Sequence, residues 1–175
     1  MLLTVGHGRQ DREQLAALLT AAGVELLVDI RRFPGSSTNP AAAKGAVPEV
    51  TRSVGIDYRW EEDLGGRRSL SAAQRRSSPD TWWRVEAFRA YSEWTRNPAF
   101  RAALERVVVE ARRRRTAVMC SESVWWRCHR RIVADVAVTV HELRVGHLMH
   151  SGKITPHSPS EGLRLDDHGE PVWDT

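Results

Sequence analysis

Residues 119–131 read MCSESVWWRCHRR and contain both cysteines of the chain, one acid, two tryptophans, one histidine and the arginines at 127, 130 and 131. Three kinds of chemistry are open to such a cluster. A deprotonated thiol is a nucleophile, cysteine and histidine together ligate zinc, and arginine grips anions bidentately. The spacing discriminates among them. Structural zinc sites usually show paired short spacings such as C-x-x-C, whereas seven residues separate Cys120 from Cys128, so no metal is expected. Nor do two cysteines make a disulfide framework.

What remains is an electropositive site with one activated thiol. Cys120 closes the apolar run TAVMC, and a helical pattern starts soon after it. A thiol near a helix N-terminus feels partial positive charge, and nearby arginines favour its thiolate. Cys120 is therefore the candidate nucleophile, with Glu122 or His129 as the proton-transfer partner. Arg127, Cys128 and Arg130 fall on the substrate side. The alternative for both cysteines is plain packing, because free cysteine is commonly a buried small hydrophobe. Thiol loops of sulfurtransferases and cysteine phosphatases share this architecture, but they close on an arginine where Trp126 stands here.

The elements that must position these groups alternate. Apolar runs at 2–5, 25–30, 116–120 and 144–148 read as strands, and IDYRW at 56–60 as a more exposed one. Helical periodicity covers Asp11–Ala22, 46–54, a stretch from Trp83 to Trp94, Phe100–Arg115 and the segment IVADVAVTV. This predicts an α/β protein: one three-layer, Rossmann-like domain over 1–175, with a mostly parallel sheet of about five strands. The polar segment 64–80 is expected to be an excursion and the tail 151–175 to be irregular, with Trp173 packing it down. In such sheets the carboxyl ends of the strands share one edge, where ligands bind. His7, Arg9, Arg31, Arg32 and His147 follow or end strands and join the candidate substrate-binding set. Each has a structural alternative: Asp29 can brace Arg31, and a loop histidine can be held by hydrogen bonds.

The chain carries a net charge of +4, with Lys44 and Lys153 the only lysines among its 26 basic residues. A basic surface suits a small anionic substrate, a nucleotide or nucleic acid. The pairs Trp82-Trp83 and Trp125-Trp126 could stack a base. No apolar run approaches the roughly 20 residues of a membrane span. No leader precedes Gly6, so a cytoplasmic protein with reduced thiols, no cofactor and no membrane partner is expected. The oligomeric state is left open.

TVGHG, LLVDIRRFPGS, Asn39-Pro40, DLGGRR (63–68), Phe88 and Tyr91, NPAF (97–100), AVMCSES, CHRR and the late GHL and PHS segments together resemble a widespread bacterial family, domain of unknown function 488. Its most specific element is C-x-E followed by C-H-R, carried by Cys120, Glu122, Cys128, His129 and Arg130. One departure is the alanine run 41–43, where an aromatic residue is usual. The resemblance implies an α/β fold and a pocket shared by these residues, and no particular reaction. Two functions fit: a cysteine-dependent transferase or hydrolase acting on a small, nucleotide-like anion, or a nucleic-acid-binding module without catalysis.

Overall fold

The computed structural model describes residues 1–175. Its sheet has five parallel strands, β1 (Leu2–Gly6), β2 (Leu26–Asp29), β3 (Asp57–Trp60), β4 (Thr116–Cys120) and β5 (Val145–Leu148), in the order β3-β2-β4-β1-β5. An antiparallel strand, β6 (Ile154–Pro156), extends the edge beyond β5, which makes six strands. Strands β1 and β4 are buried along their whole length, as their unbroken apolar runs require when helices cover both faces. The edge strand β3 is partly exposed, in keeping with its alternating sequence.

Local signals set the helix bounds. Asp11 caps α1 (Arg12–Ala21) in a reciprocal capping box with Gln14, and Leu15, Leu18 and Leu19 form its buried stripe. Helix α2 (Ala46–Ser53) joins α1 on one face of the sheet, over Leu3, Val5, Leu27, Ala117 and Met119. The short α3 (Ala72–Ser77) follows. Helix α4 (Glu86–Thr95) begins later than the periodicity from Trp83 suggests. Helix α5 (Pro98–Arg113) starts on an Asn97 cap with proline in its first turn. These last two pack with α6 (Arg130–Thr139) on the other face, over Leu2, Val28, Val118 and Val145. No helix is long and apolar enough to cross a membrane.

Two regions are more ordered than their composition suggests. In the polar stretch 64–80, Leu64, Leu70 and Asp80 are buried. The tail forms β6 and then a hairpin of β7 (Leu163–Leu165) and β8 (Pro171–Trp173), closed by the fully buried Trp173. A three-residue strand is too short to show a periodicity, so only its partner reveals it.

The sheet is doubly wound. Strands β1 and β2 lead into α1 and α2 on one face, whereas β4, which lies between them, leads into α6 on the opposite face. Chain leaving β4 diverges from its neighbours and opens a crevice at its carboxyl end. Cys120 is the last residue of β4.

Candidate functional site

Parallel pairing places Gly6 opposite Cys120, and the contact runs on past the sheet: the amides of His7 and Gly8 donate to the carbonyls of Cys120 and Ser121, each at 3.0 Å. The loop after Cys120 then folds directly over Gly6. A Cβ at that position would stand 1.7 Å from the Glu122 carbonyl oxygen, so only glycine fits there. A single helical turn at Trp125–Arg127 returns the chain to Cys128, just ahead of α6. Trp125 stacks flat on His147, with ring centres 3.8 Å apart and planes within 5°. The loop is thus held at both ends and in its middle.

This arrangement brings the two sulfurs to 2.7 Å, with Cys120 2% and Cys128 3% exposed. His129 Nε2 bonds the Ile30 carbonyl at 3.3 Å, and a carbonyl only accepts, so that nitrogen carries hydrogen. Its Nδ1 lies 3.5 Å from the Cys128 sulfur. Beside them lies Arg130, 1% exposed, which donates to the Glu122 carbonyl and has no ion pair with any carboxylate. A buried guanidinium needs a counter-charge. The sulfurs are the groups that can supply it.

The two thiols differ. Burial pushes the Cys120 thiol well up, and its hydrogen bond with Cys128 adds to this. Burial would raise Cys128 too, but the Cys120 hydrogen bond, His129 and Arg130 outweigh it and hold Cys128 well below the usual thiol range. Burial alone would lower Arg130; the neighbouring sulfur charge raises it instead. The two shifts run in opposite directions, so Cys128 is the thiol more readily deprotonated. Cys120 is the thiol expected to be activated; Cys128 is the one next to His129 and to the start of α6.

Both sulfurs lie at the floor of a pocket of about 210 Å³, together with Glu122, His129, Arg31, Arg32 and Arg67. Arg31 is braced by Asp29: its Nε and Nη2 donate to that buried carboxylate at 2.5–3.1 Å, while its Nη1 donates to the Ala42 carbonyl. Arg32 reaches the Arg67 carbonyl across the mouth. Gly66 lines the pocket beside His129, and Gly65 before it packs against the Arg32 backbone. A Cβ on Gly66 would stand 2.9 Å from His129 Nδ1, and the Tyr91 hydroxyl donates to the Leu64 carbonyl just before the pair. Phe33, 61% exposed, stands at the mouth. Phe33, Gly66 and Arg67 were not among the sequence candidates. The adjacent glycines beside arginine in DLGGRR were the available signal, since paired glycines mark close backbone approach.

Several expected site residues lie elsewhere. His7 is buried next to Cys120 but outside the pocket wall; its Nδ1 donates to the Gly8 carbonyl, and burial lowers its pKa. Arg9 lines a separate surface hollow with Gln14 and His150, and Arg127 points to solvent from the helical turn. Arg130 acts from beneath the sulfurs and does not line the pocket. The tryptophan pairs are mostly packed: Trp83 sits between Phe88 and Trp173, and Trp125 lies on His147, while Trp126 is 49% exposed.

His147, expected at the substrate edge, does not line this pocket and belongs to a buried chain of hydrogen bonds that leads to Asp135. Asp135 can only accept at Oδ1, so His157 Nε2 donates to it at 2.9 Å; His147 Nε2 then donates to His157 Nδ1 at 2.9 Å, and Thr4 donates to His147 Nδ1 at 2.7 Å. In this arrangement every ring nitrogen has a partner. Burial, with His157 and Arg130 adding, pushes His147 down to about 3. Between that value and the ordinary 6.5, the unfolded chain binds a proton that the folded chain refuses. Stability should therefore be level above pH 6.5 and fall as pH drops toward 3, by up to about 1.4 kcal/mol per unit from this group. Urea titrations at stepped pH check this; a curve flat through the window in wild type, or unchanged by His147→Gln, would refute it.

The ligand atoms of Cys120, Cys128 and His129 all lie within 4.8 Å of one another, so these three are the residues that could hold a metal. Tetrahedral zinc with bonds of about 2.3 Å keeps two sulfurs roughly 3.8 Å apart. The observed 2.7 Å is well inside that. A family model described as domain of unknown function DUF488 matches residues 11–137. No curated protein and no solved structure matches the chain.

Proposed function

The chain belongs to the family described as domain of unknown function DUF488, and because that description carries no reaction, we propose one from the site itself: a cysteine-dependent transferase or hydrolase acting on a small, nucleotide-like anion. The observation that carries this reading is Arg130, a buried guanidinium without a carboxylate, set against two sulfurs at the floor of an arginine-lined pocket. Its counter-ion is a thiolate, and a thiolate facing a pocket is a nucleophile.

In this mechanism the Cys128 thiolate attacks the electrophilic centre. The Cys120 thiol donates a hydrogen bond to it and keeps the pair at a single negative charge. Glu122 or His129 returns a proton to the leaving group, since both line the same pocket. Arg32 and Arg67 neutralise the substrate's charge at the mouth, with Arg31 held rigid behind them by Asp29. The exposed Phe33 ring offers a face for a heterocycle. A reducing compartment such as the cytoplasm keeps the thiols available.

The test is the pH dependence of alkylation at each cysteine, resolved by peptide mass spectrometry, with and without inorganic phosphate or adenosine monophosphate. Cys128 should react with an apparent pKa well below the unperturbed value of about 8.5. Either anion should slow it, and Arg32→Ala should abolish that protection. Reaction of both thiols at or above the unperturbed value would remove the nucleophile. Absence of protection by both anions would remove the substrate class.

A further inference from the structure

The two sulfurs are closer together than a nucleophile and a mere hydrogen-bond donor need to be. Cys120 ends a buried strand and Cys128 precedes a buried helix, and the loop between them is already ordered by Trp125 on His147. Their sulfurs lie 2.7 Å apart at the floor of the pocket. A disulfide bond is about 2.05 Å long, so closure requires a shift well under 1 Å and no reordering of the loop. We propose that Cys120 and Cys128 form a redox pair, which a small peroxide entering the pocket converts into an intramolecular disulfide and an external thiol reopens.

The chemistry balances in two steps. The Cys128 thiolate attacks one oxygen of hydrogen peroxide; a sulfur–oxygen bond forms, the oxygen–oxygen bond breaks, and hydroxide leaves. Cys128 is then a sulfenic acid. The Cys120 sulfur attacks the Cys128 sulfur, the sulfur–oxygen bond breaks, and the departing hydroxide takes the Cys120 proton as water. Two electrons pass from the sulfurs to the peroxide oxygens, and the products are the disulfide, one water and one hydroxide. His129, whose Nδ1 lies 3.5 Å from the Cys128 sulfur, lines the same pocket that the peroxide enters.

The oxidised form also has a built-in weakness. A disulfide carries no charge, so Arg130 would lose the counter-ion that its burial requires. That penalty raises the potential of the bond and makes it easy to reduce. Oxidation would thus silence the thiolate reversibly rather than consume it. The inference uses the thiol pair of the reading above but not its anionic substrate.

The test uses the folded, reduced full-length protein, pretreated with a chelator and exposed to an equimolar amount of hydrogen peroxide at neutral pH. Intact mass and non-reducing peptide maps should show loss of two hydrogens, a Cys120–Cys128 cross-link and no dimer, all reversed by dithiothreitol. Cys120→Ser should instead leave a sulfenic acid on Cys128 that a dimedone probe captures. Cys128→Ser should slow oxidation at least about tenfold, the factor carried by one pKa unit of thiolate character. Sulfinic acid on either cysteine of the wild type without a cross-link, a cross-link only between chains, or thiols inert to peroxide would each overturn the proposal. Phosphate protection against alkylation, measured on the reduced protein, reports on the anion site separately, so one failure is not read as the other.

Discussion

Replacing Arg130 by leucine should raise the apparent pKa of the reactive thiol by at least one unit, about 1.4 kcal/mol, and cut alkylation at neutral pH about tenfold. Arg130 is the buried positive charge in contact with the pair, and its charge is among the causes that lower Cys128. Removing one partner of a buried ion pair normally leaves an uncompensated charge and destabilises by roughly 3–5 kcal/mol. A thiolate escapes that penalty by taking up a proton. The folding loss should therefore be smaller, about 1–3 kcal/mol, set by the Glu122 carbonyl that loses its donor. Alkylation profiles and urea unfolding of the same variant separate the two effects. A thiol pKa unchanged in Arg130→Leu would mean that the arginine is not the counter-ion.

Asp135→Ala should be the more damaging change to the fold, with a loss of at least about 3 kcal/mol. The carboxylate is fully buried on α6 and accepts from His157 Nε2, from the Ser160 amide and hydroxyl, and from the Trp173 indole. Each donor left without a partner costs about 1–3 kcal/mol. The same change frees the orientation of His157 and then of His147, on which Trp125 rests. Reactivity at Cys128 should consequently fall in any Asp135→Ala protein that still folds. Asp135→Asn keeps one acceptor oxygen and should lose less. Urea unfolding reads the stability, and a loss below about 1 kcal/mol would show that these donors find water or other partners.

Much of the architecture was legible in the residues. The short, mostly apolar runs LLTV, LLVD and TAVMC read as strands buried on both faces, and the stripe Leu15, Leu18, Leu19 behind Asp11 reads as an amphipathic helix with its cap. That alternation already places Cys120, Glu122, Arg31 and Arg32 at one edge of a sheet. The three-residue strands of the tail escaped because so short a segment has no period to detect. The order of the 64–80 stretch escaped because a few buried groups, Leu64, Leu70 and Asp80, are scattered among arginines and serines.

The α/β layering and the gathering of the C-x-E and C-H-R residues beside arginine follow from periodicity and strand ends, which are local properties of the chain. Folding added that the sulfurs touch and that Cys128 is the thiol whose pKa is pushed down. It also showed that Arg130 lies beneath the pair without a carboxylate, and that His147 serves Asp135 instead of the pocket. The reason is electrostatic. A group's protonation depends on burial and on charges within a few ångströms, and those neighbours come from β1 and, more than a hundred residues further along the chain, from β4, α6 and the tail.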